Sequence, residues 1–226
     1  MRSSWRIGSV VAVLALTTAC SGPDIGPRIT APTSAPPPAG LIPEPTPGGA
    51  TTTRSLGPAP ADIRTVNWDE ATLPGNFCDV DELVQFHAGE ALAQSSSYGE
   101  THLTVEEMTD TVYGDLDGDG KEEAVVPIGC DNNGGTASGQ LAFGAVAVQA
   151  DEGELRSLGS ITTKVNPDDA LHVTLISGLR IRPGAVEVDE SWYRPSDSTA
   201  TPSGTATTTW TLTSGTLVAG LPAVTG

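Results

Sequence analysis

From Thr101 onward the chain breaks into short runs rich in Val, Ile, Leu and Thr, each bounded by Gly, Asp, Asn or Pro. That texture restricts this part of the chain to β-structure, because each run has the length and branching of a strand and its borders have the residues of turns. The runs are Leu103–Glu106, Asp110–Tyr113, Glu122–Ile128, Gln140–Gln149, Glu154–Thr163, Ala170–Ile176, Ala185–Tyr193 and Thr205–Leu212, with a last short piece at Leu217. Alternation in Val186-Glu187-Val188-Asp189 and in Thr209-Trp210-Thr211-Leu212 assigns one face to a core and the other to water. Asp151-Glu152-Gly153 and Ser214-Gly215 suit tight hairpins, so an antiparallel, sandwich-like meander is the simplest topology.

Before Thr101 the periodicity is different. Val80, Leu83, Val84, His87, Ala91 and Leu92 recur at helical spacing, and Asp79 followed by Glu82 has the form of a capping box. The expected fold class is therefore mainly β with one flanking α-helix over Val80–Gln94. His87 falls in the apolar stripe of that helix and is expected to pack rather than to ligate, since no second ligand stands beside it at a useful spacing.

The first 60 residues carry an address. Arg2 and Arg6 precede an apolar stretch from Ile7 to Leu16, and Thr17-Thr18-Ala19 place small side chains before Cys20, the pattern of a lipoprotein signal. The apolar stretch is about half the 20 or so residues needed to cross a bilayer. Residues 1–19 are read as the signal peptide and Cys20 as the lipidation site, which places the rest on the outer face of the cytoplasmic membrane, held by acyl chains. Residues 20–60 form a Pro/Gly/Thr linker: 11 of the 18 prolines lie between Ser21 and Pro60, with too few large apolar residues to offset backbone ordering. Residues 61–226 remain as one extracytoplasmic β-rich domain.

Charge limits the partners. Of 11 basic residues, Arg2 and Arg6 leave with the signal, so 9 face 28 acidic ones, a formal net charge of −19. Nucleic acid and anionic headgroups call for a cationic face, so the charge balance argues against them as partners of this domain. The two remaining cysteines, Cys78 and Cys130, are most simply a disulfide in an exported protein. It closes a loop of about 50 residues and contributes about 3–4 kcal/mol in the chain-entropy account.

The densest chemistry lies at Asp115-Leu116-Asp117-Gly118-Asp119-Gly120-Lys121-Glu122-Glu123. Carboxylates at positions one, three, five and nine, a glycine at six and a backbone carbonyl at seven can converge on one hard cation, and calcium accepts such an irregular oxygen shell. The expected ligands are Asp115, Asp117, Asp119, Glu123 and the carbonyl of Lys121. Position twelve is Val126 instead of the bidentate glutamate of an EF-hand, and strand-like sequence follows directly, so the loop is expected to join two strands.

The run DTVYGDLDGDGKEEAVVPIGC, followed by NNGG, resembles actinobacterial exported lipoproteins of the LppP/LprE type over roughly Asn67 to Leu217. The resemblance implies a lipid-anchored envelope protein and no defined chemistry. The aspartate loop by itself resembles the FG-GAP or VCBS repeats of β-propellers, but it occurs once and one blade closes no propeller.

Enzyme signatures are missing: there is no GxSxG, SxxK, HExxH or GxxxxGK[ST], and His87, His102 and His172 are scattered. A non-catalytic structural or interaction role is the leading expectation. The alternatives are a module for an envelope ligand or glycan near Trp192, Tyr193 and Trp210, which are expected to fill the core instead, and a divergent hydrolase drawn from Asp169, His172 or His87.

Overall fold

The computed structural model describes residues 54–105, 109–133, 139–168, 170 and 172–226. The signal segment, Cys20 and most of the expected linker lie outside the described residues, as do Glu106 and Asp169.

Fourteen strands follow in order among the described residues. They are β1 (Ser55–Pro58), β2 (Thr72–Pro74), β3 (Leu83–Gln85), β4 (Glu90–Ser95), β5 (Gly99–Val105), β6 (Val112–Gly114) and β7 (Glu123–Asp131). Then come β8 (Gln140–Asp151), β9 (Glu154–Thr162), β10 (Leu175–Arg182), β11 (Ala185–Trp192), β12 (Gly204–Thr213), β13 (Thr216–Ala219) and β14 (Ala223–Val224). A seven-stranded antiparallel sheet runs β1-β9-β8-β7-β5-β4, with β6 also on β7. A five-stranded sheet runs β10-β11-β12-β13, with β14 on β12, and β2-β3 form a third, small sheet. The two expected hairpins are present: Glu152 and Gly153 join β8 to β9, and Ser214 and Gly215 join β12 to β13, with positive φ at all four residues.

The large sheet is buried on both faces, which explains why its central strands are apolar without alternation. On one face Ala124, Val126, Ile128 and Cys130 of β7 and Val146 and Val148 of β8 meet Leu73, Phe77, Val84 and Phe86 of the N-terminal segment. On the other, Val125, Ala145 and Ala147 meet Ile176, Leu179, Val186, Val188 and Trp210 of the second sheet. Cys78 and Cys130 stand at disulfide-bonding distance, Cα atoms 6.3 Å apart, tying the N-terminal layer to β7. Pro127 falls between the stretches of β7 that pair with β5 and with β6, where one edge has no paired strand and a residue without an N–H is tolerated.

Three expectations are corrected. Val80–Gln94 is not a helix: it holds β3, a turn and β4, and the only helical pieces among the described residues are three-residue 3-10 turns at Ile63–Thr65, Trp68–Glu70 and Asn76–Cys78. Asp79, the expected cap, has φ 54°, the left-handed conformation that closes the last of these turns. The inward side chains then follow period two, Val84 and Phe86 on one strand and Ala91, Ala93 and Ser95 on the next. The folded part also begins earlier than residue 61. Ser55–Pro58 pairs with β9, and the Ala59 N–H donates to the Gly153 carbonyl at 2.8 Å. Finally, the strand expected at Ala170–Ile176 runs instead over Leu175–Arg182, turned back at Pro183-Gly184.

Candidate metal centre

The aspartate loop joins β6 to β7, as expected, with Gly114 opposite Glu123 in the register. Leu116 fixes it. Its side chain is fully buried in the core between the two sheets, and its carbonyl accepts from the Gly184 N–H at 2.9 Å. Turning Leu116 inward throws both of its neighbours, Asp115 and Asp117, outward, where they are exposed. Gly118 and Gly120 have φ of 83° and 85°, and a side chain at either would meet nothing within 4 Å. The backbone, not crowding, demands glycine there.

Glu123 is the buried member of the group, 2% exposed. Its Oε2 accepts from the Leu116 N–H at 2.6 Å and from the Asp117 N–H at 3.3 Å, drawing the loop back over the start of β7. Asp115 accepts from the Gly118 N–H at 2.7 Å and the Gly120 N–H at 3.2 Å, and Asp117 from the Asp119 N–H at 3.0 Å. Carboxylate oxygens of Asp115, Asp117 and Glu123 all lie within 4.8 Å of one another. Burial pushes the Glu123 carboxyl above its ordinary value; the Leu116 and Asp117 N–H groups oppose this, and the charges of Asp117 and Asp119 add to it.

Asp119 stands outside this group. Its Oδ1 accepts from the Lys121 N–H at 2.7 Å and its Oδ2 lies 3.6 Å from Lys121 Nζ. The other cation at hand, Arg64, forks onto Glu122 with contacts of 2.5 and 2.8 Å and lies over the Tyr113 ring. Both cations next to the loop are thus engaged elsewhere, and three carboxylates face one another with no cationic side chain paired to them among the described residues. Such an arrangement can hold a metal ion by oxygen ligation.

The remaining candidates are scattered. His87 pairs with Glu70 at 3.1 Å on the surface, His102 Nδ1 lies 3.3 Å from Asp131, and His172 packs edge-on against Tyr193 at 4.9 Å. Trp192, Tyr193 and Trp210 are buried, as expected for core residues. A side chain at Gly204 would collide with the Trp192 indole. Sequence reasoning missed Glu190, which is 1% exposed. Its Oε2 accepts from the Lys164 and Val165 N–H groups at 2.7 and 2.9 Å, and its Oε1 from the Thr208 hydroxyl at 2.5 Å. The signal was there, since Glu190 continues the inward period-two stripe of Val186, Val188 and Trp192.

Comparison with protein-family models, with curated proteins and with solved structures finds no match.

Proposed function

We propose that this chain is a lipid-anchored cell-envelope protein with a non-catalytic structural or interaction role, its domain stabilised by calcium in the Asp115–Glu123 loop. The single observation that carries the metal reading is the buried Glu123 carboxylate beside Asp115 and Asp117, without a cationic partner among the described residues. Calcium fits better than magnesium because the oxygens come from a loop with irregular angles rather than from a tight octahedron. Cys20 behind its short apolar segment, together with the resemblance to LppP/LprE-type lipoproteins, supports the anchor.

Thermal unfolding in millimolar calcium and in chelator tests the metal, with Asp117→Ala as the variant. The chain used must begin before Ser55, because β1 belongs to the fold. A calcium-dependent rise in midpoint that the variant lacks supports the site, and superimposable curves reject it. For the anchor, Cys20→Ser is expected to move the protein from the membrane fraction to the soluble one.

A further inference from the structure

Ala88 and Gly89 have φ of 52° and 81°, the pair of left-handed residues that joins two strands into a tight hairpin. The residues flanking them make the expected closing pair: the His87 N–H donates to the Glu90 carbonyl at 2.9 Å and the Glu90 N–H to the His87 carbonyl at 3.1 Å. The hairpin then splits. β3 pairs with β2 and β4 pairs with β5, and no backbone pairing joins β3 to β4 beyond that bridge among the described residues. The two strands are joined again past their far end, where the Ser96 N–H donates to the Asp79 carbonyl at 2.9 Å.

Between those two closures both walls present backbone. In an antiparallel ladder the N–H and C=O of one residue point to the same side and those of its neighbours to the other. Phe86 donates to Ala71 on the β2 side, so Leu83 and Gln85 turn their N–H and C=O toward β4. Glu90 and Ser96 bond away from β5, so Leu92 and Gln94 turn theirs toward β3. The gap between these walls is a cavity of about 630 Å³ bordered by Asp81, Glu82, Leu83, Gln85, Leu92 and Gln94. Leu92 is 64% exposed there, and the ion pairs of the described residues leave Asp81 and Glu82 without a cation.

We infer that this gap receives an extended peptide segment of a partner protein, basic in character, which adds as a strand to the β4 edge. Its backbone pairs with Leu92 and Gln94, an apolar side chain covers Leu92, and a Lys or Arg meets Asp81 and Glu82. Free strand edges take peptides in this way, with main-chain hydrogen bonds giving affinity and alternate side chains giving specificity. The inference rests on the interaction role proposed above, to which it gives a place, and needs neither calcium nor the anchor.

The probe is the peptide acetyl-Thr-Lys-Val-Lys-Val-Lys-Thr-amide, titrated into the full chain while amide hydrogen exchange is followed by NMR. Fast exchange at Leu92 and Gln94 is expected in the free protein, slowed at least tenfold by the peptide. No slowing is expected from its alternately N-methylated form, which keeps the side chains but loses the donors, nor from its Glu-for-Lys counterpart. Asp81→Asn with Glu82→Gln, two exposed changes, should weaken binding several-fold while the exchange of β7 and β8 stays unchanged. Equal protection by the acidic peptide, or none by the basic one at millimolar concentration, would overturn the inference. Slow exchange at these amides before peptide is added would overturn it too, because the chain itself or a second copy would then fill the gap. None of these outcomes alters the calcium-dependent midpoint, so the metal reading stands or falls separately.

Discussion

Two buried carboxylates, one in each of the two larger sheets, perform the same mechanical task. Glu123 at the start of β7 and Glu190 in β11 each accept two backbone N–H groups from an incoming loop, Leu116 and Asp117 in one case, Lys164 and Val165 in the other. Their surroundings differ. Glu190 is completed by the Thr208 hydroxyl, with the Lys164 ammonium lying over the nearby Trp210 ring. Glu123 has two more carboxylates within reach. A single carboxylate is enough to hold an incoming loop, as Glu190 demonstrates. Beside Glu123, Asp115 and Asp117 also hold the turn by accepting the Gly118, Gly120 and Asp119 N–H groups, and the charge of Asp117 raises the Glu123 carboxyl, a repulsion that a cation would convert into ligation.

The comparison breaks most visibly at Glu190. Glu190→Ala removes the acceptor of two part-buried N–H groups and of the buried Thr208 hydroxyl, a loss of about 3 kcal/mol, equal with and without calcium. Denaturant unfolding in both conditions measures it. Glu123→Gln keeps an oxygen for the Leu116 N–H, so without calcium it should change stability by less than about 1 kcal/mol. With calcium at a hundred times its Kd it should forfeit the full increment of about 2.7 kcal/mol that binding supplies to the parent. If Glu123→Gln costs the same in both conditions, Glu123 is only a second Glu190.

Acidity sharpens the contrast further. The Glu123 carboxyl is raised in the folded protein, so across the pH range from its unfolded value up to its folded value the native state binds more protons than the unfolded one. Its contribution is present below that range and lost as pH rises through it. Calcium favours the ionised form and should flatten this slope, which urea midpoints at several pH values will show. Asp189 gives the opposite sign. Its carboxyl is lowered, first by Arg180, so its contribution is present above its unfolded value and is lost as pH falls through its folded value.

The smallest expected effect lies outside both sites. Ala88 holds a left-handed conformation that costs a non-glycine residue about 1 kcal/mol. Ala88→Gly should therefore raise stability by up to about 1 kcal/mol, less the extra entropy of an unfolded glycine.

How much of this was legible depended on the range of the forces involved. Beyond Thr101 the strands announce themselves because Val186, Val188 and Trp210 alternate with polar neighbours, a local pattern. The Asp115, Asp117 and Glu123 grouping was legible for the same reason, through its spacing along the chain. Asp119 was not separable from them, because its diversion to Lys121 follows from how the backbone turns at Gly118 and Gly120. The stretch from Val80 to Gln94 misled because its apolar residues satisfy helical spacing by coincidence. The turn that divides them uses Ala88, steadied by the Glu70 carboxylate, which accepts from the Ala88 N–H at 2.9 Å and meets His87. That contact comes from 18 residues upstream, where no window on the local sequence finds it.

The pairing of β1 with β9 sets an order of events in time. Ser55 and Arg156 are partners, so β1, the first strand among the described residues, must wait in synthesis for about a hundred further residues before its own partner exists, and pairings that distant in sequence close slowly. The β8–β9 hairpin forms from adjacent residues and can be in place first. Closure of the β1 edge thus follows the β8–β9 hairpin, and until it happens the outer edge of β9 remains open to other strands.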